Sequence, residues 1–337
     1  FYCVTELGKR AFKNSGIRSF SSEVSEIKEE TFADSKIETL SLSKAVSFGD
    51  KAFYNCAYLK NYKFPTTLEN IGNNCFEYSA IQAADLSATK VTQMGECAFA
   101  ECYKLEKVNI SSGLKNLPAR SFKNDSNITD IDLGVNLKCI CSEAFYNCYD
   151  LNKIIVPNSV ERLEKNALDG ISCEVSLPFI GSKVDDRFNG WNYVFGEHSY
   201  VNKITITRAK SVWGVTFRGA NSLRSVDLKS VEKIENLAFY GLEKLESITL
   251  SNNLKSIGKK AFAYCSNLNS LKIPDSVTYL GNTFAAHSGI KDVKLPSAIT
   301  AIPARAFEGC YYLVIIYVPD TVTQIGRNAI ESWMSIK

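Results

Sequence analysis

Residues 257–274 read Ile257-Gly258-Lys259-Lys260-Ala261-Phe262-Ala263-Tyr264-Cys265-Ser266-Asn267-Leu268-Asn269-Ser270-Leu271-Lys272-Ile273-Pro274. Behind Phe262, the offsets 3, 6, 9, 11, 15 and 18 hold Cys265, Leu268, Leu271, Ile273, Val277 and Leu280. The same offsets behind Phe145 hold Cys148, Leu151, Ile154, Val156, Val160 and Leu163. Working outward, a small residue followed by Phe recurs at Phe12, Phe32, Phe53, Phe76, Phe99, Phe122, Phe145, Phe217, Phe239, Phe262, Phe284 and Phe307, with Leu168 and Ile330 in the same place. Successive anchors lie 20 to 23 residues apart, except for 49 between Leu168 and Phe217. Twelve of the fourteen anchors are Phe although the chain has only 19, so the period is not a matter of composition.

A fixed period near 23 residues is the mark of a repeat solenoid. The residues at offsets 9 and 11 alternate with polar ones, as in a strand with one buried face. Offsets 0, 3 and 6 suit one helical or 3₁₀ turn. Each unit therefore reads as one short parallel β-strand plus a short helical turn and a return. Such a unit cannot bury its apolar stripe alone, and stacking on its neighbours is what buries it. Pro65, Pro157, Pro274, Pro296 and Pro319 follow the strand, where a missing N–H does no harm. Gly8, Gly49, Gly72, Gly95, Gly258 and Gly326 stand four residues before their anchors, where a sharp turn is expected. One domain over 1–337 is expected, with regular repeats at 1–170 and 216–337. The stretch 171–215 is irregular, its turn expected to be anchored near Phe188 and its aromatics to be packing.

Hydrophobic residues make up 45% of the 337 and aromatic ones 11%, enough for a continuous core. No apolar run approaches the roughly 18 residues of a membrane span. The chain begins at Phe1 with no initiator Met or leader, as expected if one was removed or the chain is an excerpt. A net charge of +3, spread along the chain, leaves no basic patch for nucleic acid.

The 11 cysteines are the first candidates for chemistry. Cys56, Cys102, Cys148, Cys265 and Cys310 share the third position after an anchor and read as small buried packing residues, too far apart for disulfides. Cys139 and Cys141 are expected to point apart. A zinc site from Cys97, Cys102 and a neighbour matches no finger spacing. Of the two histidines, His287 takes the place of the repeat cysteine and His198 lies beside Glu197. A Cys173–His198 nucleophile pair has no elbow or oxyanion motif with it. No catalytic residue, metal or cofactor is expected.

The Ile-Gly-x-x-Ala-Phe-x-x-Cys-x-x-Leu-x-x-Leu-x-Ile-Pro pattern resembles the BspA-like leucine-rich repeats of bacterial and protozoan surface proteins. The resemblance implies a right-handed leucine-rich-repeat superhelix, without the Asn ladder of ordinary leucine-rich repeats. It also implies display at the cell surface or secretion, and adhesion to a protein of a host or neighbouring cell, or to a glycan. The expected function is non-enzymatic recognition by a monomer. The alternatives are a passive stalk and, more distantly, a hydrolase. Solenoids bind through their exposed strand positions, and most of these are mixed polar here. The exception is Val314, Ile315 and Tyr317, with Tyr312 at their rim, which is the expected ligand-binding patch. Trp333 and Ile336 would begin another turn and could instead cover it.

Overall fold

The computed structural model describes residues 4–331. They form two compact units, one of residues 4–173 with 194–199 and one of residues 174–193 with 200–331. Both are parallel β-solenoids with about 23 residues per turn. Most turns carry two short strands where one was expected. In the first unit the outer row includes Ala83–Asp85, Lys107–Asn109 and Asp130–Asp132, paired in register. Its second row includes Asn116–Leu117, Cys139–Ile140 and Arg162–Leu163. The second unit repeats the plan, with Glu174–Leu177, Lys203–Ile206, Ser225–Leu228 and Ser247–Thr249 side by side. Its second row runs through Ser211–Val212, Lys233–Ile234, Ser256–Ile257 and Tyr279–Leu280. Asn61–Lys63 forms no strand, although Tyr62 is buried in the expected place. There Tyr62 and Phe64 bring two rings where other turns carry aliphatic side chains.

The anchor segment is not a helix. Among the described residues the one helix is the five-residue turn Trp191–Phe195. Elsewhere alternate N–H groups close local turns and the rest reach the next repeat. Around Phe53, the amides of Ala52, Tyr54 and Cys56 donate three residues back, to Gly49, Lys51 and Phe53. Those of Lys51, Phe53 and Asn55 donate to Asn73, Cys75 and Glu77 of the following turn. Such alternation needs left-handed backbone two residues before and two after the anchor, and Lys51 (φ 54°) and Asn55 (φ 52°) supply it. Two left-handed residues four apart interrupt any helix. The segment becomes a third laterally bonded edge of the turn.

Inside, the anchor rings form a ladder. Phe53, Phe76, Phe99, Phe122 and Phe145 are stacked at 4.9, 5.3, 5.6 and 5.5 Å between successive centroids. In the second unit Phe217, Phe239 and Phe262 stack at 4.7 and 5.2 Å. The ladder then changes. The Phe262 amide donates to Phe284 O, and the Ala285 amide donates to Ala306 O, so Ala285 and not Phe284 takes the anchor place. Phe284 fills the preceding small-residue place and meets Phe307 edge-on, at 74°.

Apart from Gly8, the glycines four before the anchors serve close approach and not a left-handed turn. A Cβ on Gly72 would lie 2.5 Å from Asp50 N, and one on Gly95 2.4 Å from Asn73 N. The irregular turn expected near Phe188 is anchored a few residues later, and Phe188 is not its anchor. Its side chain is 89% exposed, and Trp191 and Phe195 are the buried rings. The Trp191 amide donates to Thr216 O, and Val194 O accepts from Leu168 N, the bonds an anchor makes. Phe179, Trp191 and Phe195 are buried packing, as the sequence led us to expect.

Candidate functional site

The expected binding residues lie in the second unit. Ile315–Tyr317 is a strand paired with Asp292–Lys294, placing Ile315 opposite Asp292 and Tyr317 opposite Lys294. Val314 is 81% exposed, Tyr312 62%, Tyr317 59% and Ile315 44%. Trp333 and Ile336, the alternative cover for this patch, lie outside the described residues.

A second set of exposed and half-buried side chains was not foreseen. They sit at the anchor turn, one or two residues past the buried ring. Tyr54 meets Tyr78 at 5.6 Å in the first unit, and in the second Tyr240 meets Tyr264 at 5.3 Å. Tyr264 in turn stacks on His287 at 4.8 Å. Tyr78, Tyr264 and His287 all have positive φ. His287 therefore occupies the left-handed place and not that of the repeat cysteine, which Ser288 holds with its Oγ 3.4 Å from Cys310 Sγ. Other turns fill the left-handed place with Asn, an acidic residue or, at Gly170, Gly219, Gly241 and Gly309, glycine. Where the residues are polar they form a ladder: Asn147 Nδ2 donates to Asn124 Oδ1 at 2.9 Å, and Asn124 Nδ2 to Glu101 Oε1 at 2.6 Å. Non-glycine residues at positive φ favour Asn, the one signal by which the sequence could have shown this row.

The repeat cysteines do more than pack. Cys56, Cys102, Cys148 and Cys265 each donate S–H to the carbonyl of the preceding anchor, Phe32, Phe76, Phe122 and Phe239, at 3.0 to 3.2 Å. Cys310 does the same to Ala285 O at 3.1 Å, which again marks Ala285 as the anchor. Burial pushes the Cys56 and Cys265 thiols up to about 12, so they are inert as nucleophiles. Asp125 stands in the same place with no exposed surface; its Oδ1 accepts from Cys102 N at 2.6 Å and its Oδ2 has no partner. Burial pushes its carboxyl well above the usual range, against the Cys102 amide and with the help of Glu101.

Cys139 and Cys141 correct the reading that they point apart. Residues two apart on an extended chain share a face, and their sulfurs are 3.6 Å from each other. Arg162 Nε lies 3.2 Å from Cys139 Sγ. The hydrogen bond from Cys141, and after it the Arg162 guanidinium, bring the Cys139 thiol down to about 7, while that of Cys141 is raised by the same bond. Among the described residues, the group with metal-ligand geometry is Cys139, Cys141 and Glu164. Cys97 and Cys102 do not make one: Cys102 is buried on Phe76 O, and Cys97 holds the left-handed place before Phe99. His198 turns to Asp169, with Nδ1 3.3 Å from Oδ2 and its amide 3.1 Å from Oδ1. Asp186 is closed in by Ser182, Phe188 N and Asn189. Burial works against its charge, but these donors hold the carboxyl well below the usual range.

Turns of this length, two parallel strand rows and an anchor ladder define a leucine-rich repeat protein. The family model of the BspA type leucine rich repeat region matches residues 2–91, 46–174 and 210–337, in six copies. The chain belongs to that family. A solved leucine-rich repeat protein from Bacteroides ovatus is 24% identical over 97% of this chain and 80% of its own, with a TM-score of 0.58. One from Eubacterium ventriosum is 20% identical over 85% of this chain and 81% of its own, with a TM-score of 0.36. The first likeness shows the fold. A comparison with curated proteins finds no match.

Proposed function

We propose that this chain is a non-enzymatic recognition module, secreted or displayed at a cell surface. As a monomer it binds a protein or a complex glycan through the exposed side chains of its repeats. The observation that carries this reading is the run of exposed apolar and aromatic residues Tyr312, Val314, Ile315 and Tyr317. A laddered backbone holds them, so binding has little ordering to oppose it. Membership of the BspA-type family supports it too. The spacer alternative draws on the rest of the surface. Cross-turn pairs such as Lys138–Glu161 and Lys210–Glu232 make a solvated face that needs no ligand.

Fluorescently labelled protein added to intact animal cells and intact bacteria separates the two. A recognition module binds one of these surfaces saturably, and the binding disappears after protease treatment of the cells for a protein ligand, or glycosidase treatment for a glycan. A spacer shows only weak, non-saturable association.

A further inference from the structure

We propose that Cys139, Cys141 and Glu164 form a binding site for one thiophilic divalent cation, and that Zn2+ is the ion it fits. The site is built by the second strand row of the first unit. Cys139–Ile140 lies between Asn116–Leu117 and Arg162–Leu163, with Cys139 opposite Arg162 and Ile140 opposite Leu163. Ile140 and Leu163 fill the core. Cys139 and Cys141 share the opposite face of the chain, where Cys139 is buried beneath its neighbours and Cys141 is half-buried, and Glu164 follows Leu163 on the neighbouring turn.

The distances suit a small tetrahedral ion. All three ligand atoms lie within 4.8 Å of one another. The two sulfurs are 3.6 Å apart, and Cys139 Sγ is 3.9 Å from Glu164 Oε1. Two thiolates each about 2.3 Å from a tetrahedral zinc stand about 3.8 Å apart, so the sulfurs need to move only a few tenths of an ångström. Thiolate donors select such an ion over the hard cations Ca2+ and Mg2+, which take oxygen.

The surroundings are arranged as a ligand set requires. Glu164 Oε2 accepts from Ser142 N at 3.1 Å and Ser142 Oγ at 3.2 Å, which leaves Oε1 turned to Cys139. Outer donors of this kind orient a ligand and hold its charge. Arg162 Nε is 3.2 Å from Cys139 Sγ and Arg162 Nη2 is 3.3 Å from Glu164 Oε1. Two thiolates and a carboxylate carry three negative charges. The ion's two positive charges and that of Arg162 balance them. Cys141 and Glu164 also line a groove of about 400 Å3 with Met94 and Glu96, through which an ion would reach them and from which water would complete its shell.

The test uses the full 337-residue chain, reduced, metal-free and kept from air. Titration with Co2+ should give a thiolate-to-cobalt charge-transfer band and the intense visible bands of a four-coordinate ion. Both should saturate at one equivalent and be bleached by Zn2+. Ser142→Ala, which removes one donor to Glu164, should weaken binding by about tenfold, and Cys139→Ser or Cys141→Ser should abolish the charge-transfer band. Cys97→Ser should leave it unchanged. A measurement on the parent protein guards against misfolded variants: Zn2+ should slow alkylation of the half-buried Cys141, read by peptide mass, and not that of the half-buried Cys97. Absence of the band while all thiols assay as reduced would overturn the proposal. So would equal Co2+ binding by the parent and a folded Cys139→Ser protein, or a Cys139–Cys141 disulfide in protein purified without oxidant.

Discussion

Asp125 shows how much one residue of a repeat reveals. Five other turns carry cysteine at its place, and four of those thiols cap the carbonyl of a Phe anchor. Asp125 brings a carboxyl into the same closed space, where burial raises its pKa. The sign follows from linkage: a carboxyl whose folded pKa lies above its unfolded value, about 4, costs stability as pH rises past the unfolded value. Asp125→Cys should therefore stabilise the protein more at pH 8 than at pH 4, as read by urea unfolding at each pH. An equal gain at both would show that the carboxyl's charge is not the cause. The glycines make a second residue-scale case. Their places were legible from the sequence but their purpose was not, because the need arises from the backbone of the preceding turn. With a Cβ 2.5 Å from Asp50 N, Gly72→Ala should cost about 1–3 kcal/mol, the usual penalty of overpacking. Gly8, whose Cβ would meet nothing within 4 Å, is the control.

At the scale of the element, the outward strand was read correctly from alternation, as Lys153–Ile155 shows with only its central Ile154 buried. The anchor turn was misread. Apolar residues at offsets 0, 3 and 6 suit a helix, but Arg10, Asn14 and their counterparts are left-handed, and the sequence marks those places only by a loose preference for Asn and Gly. The slip at Phe284 was in principle avoidable. Gly281 stands four before Ala285, and its Cβ would meet Lys259 N at 2.4 Å, as the other glycines of that position do with their own neighbours. At this turn the glycine marks the anchor and the Phe does not. Where the ladder is regular it should carry much of the stability. Phe145 is fully buried and stacked on Phe122, so Phe145→Ala should cost about 3–5 kcal/mol by chemical unfolding. A loss below about 1 kcal/mol would mean the rings are not the core that the stacking indicates.

On the scale of the whole molecule, the period alone made the solenoid legible, and the family match rests on the same residues. That match stops at 174 and resumes at 210, which brackets the stretch expected to be anchored near Phe188 and anchored instead by Trp191 and Phe195. A one-residue rule cannot find an anchor place that a short helix fills with two rings. The thiol cluster was missed because its members come from adjacent turns, Cys139 opposite Arg162, a relation that only the register supplies. Recognition through Tyr312, Val314, Ile315 and Tyr317 is the central claim, and binding of variants to the responsive cell surface tests it most directly. Tyr317→Ala should weaken that binding by about 1–3 kcal/mol, the loss expected of an aromatic anchor, with the unfolding midpoint unchanged and Lys63→Ala binding like the parent. If Tyr317→Ala binds as tightly as the parent, the patch is not the binding surface.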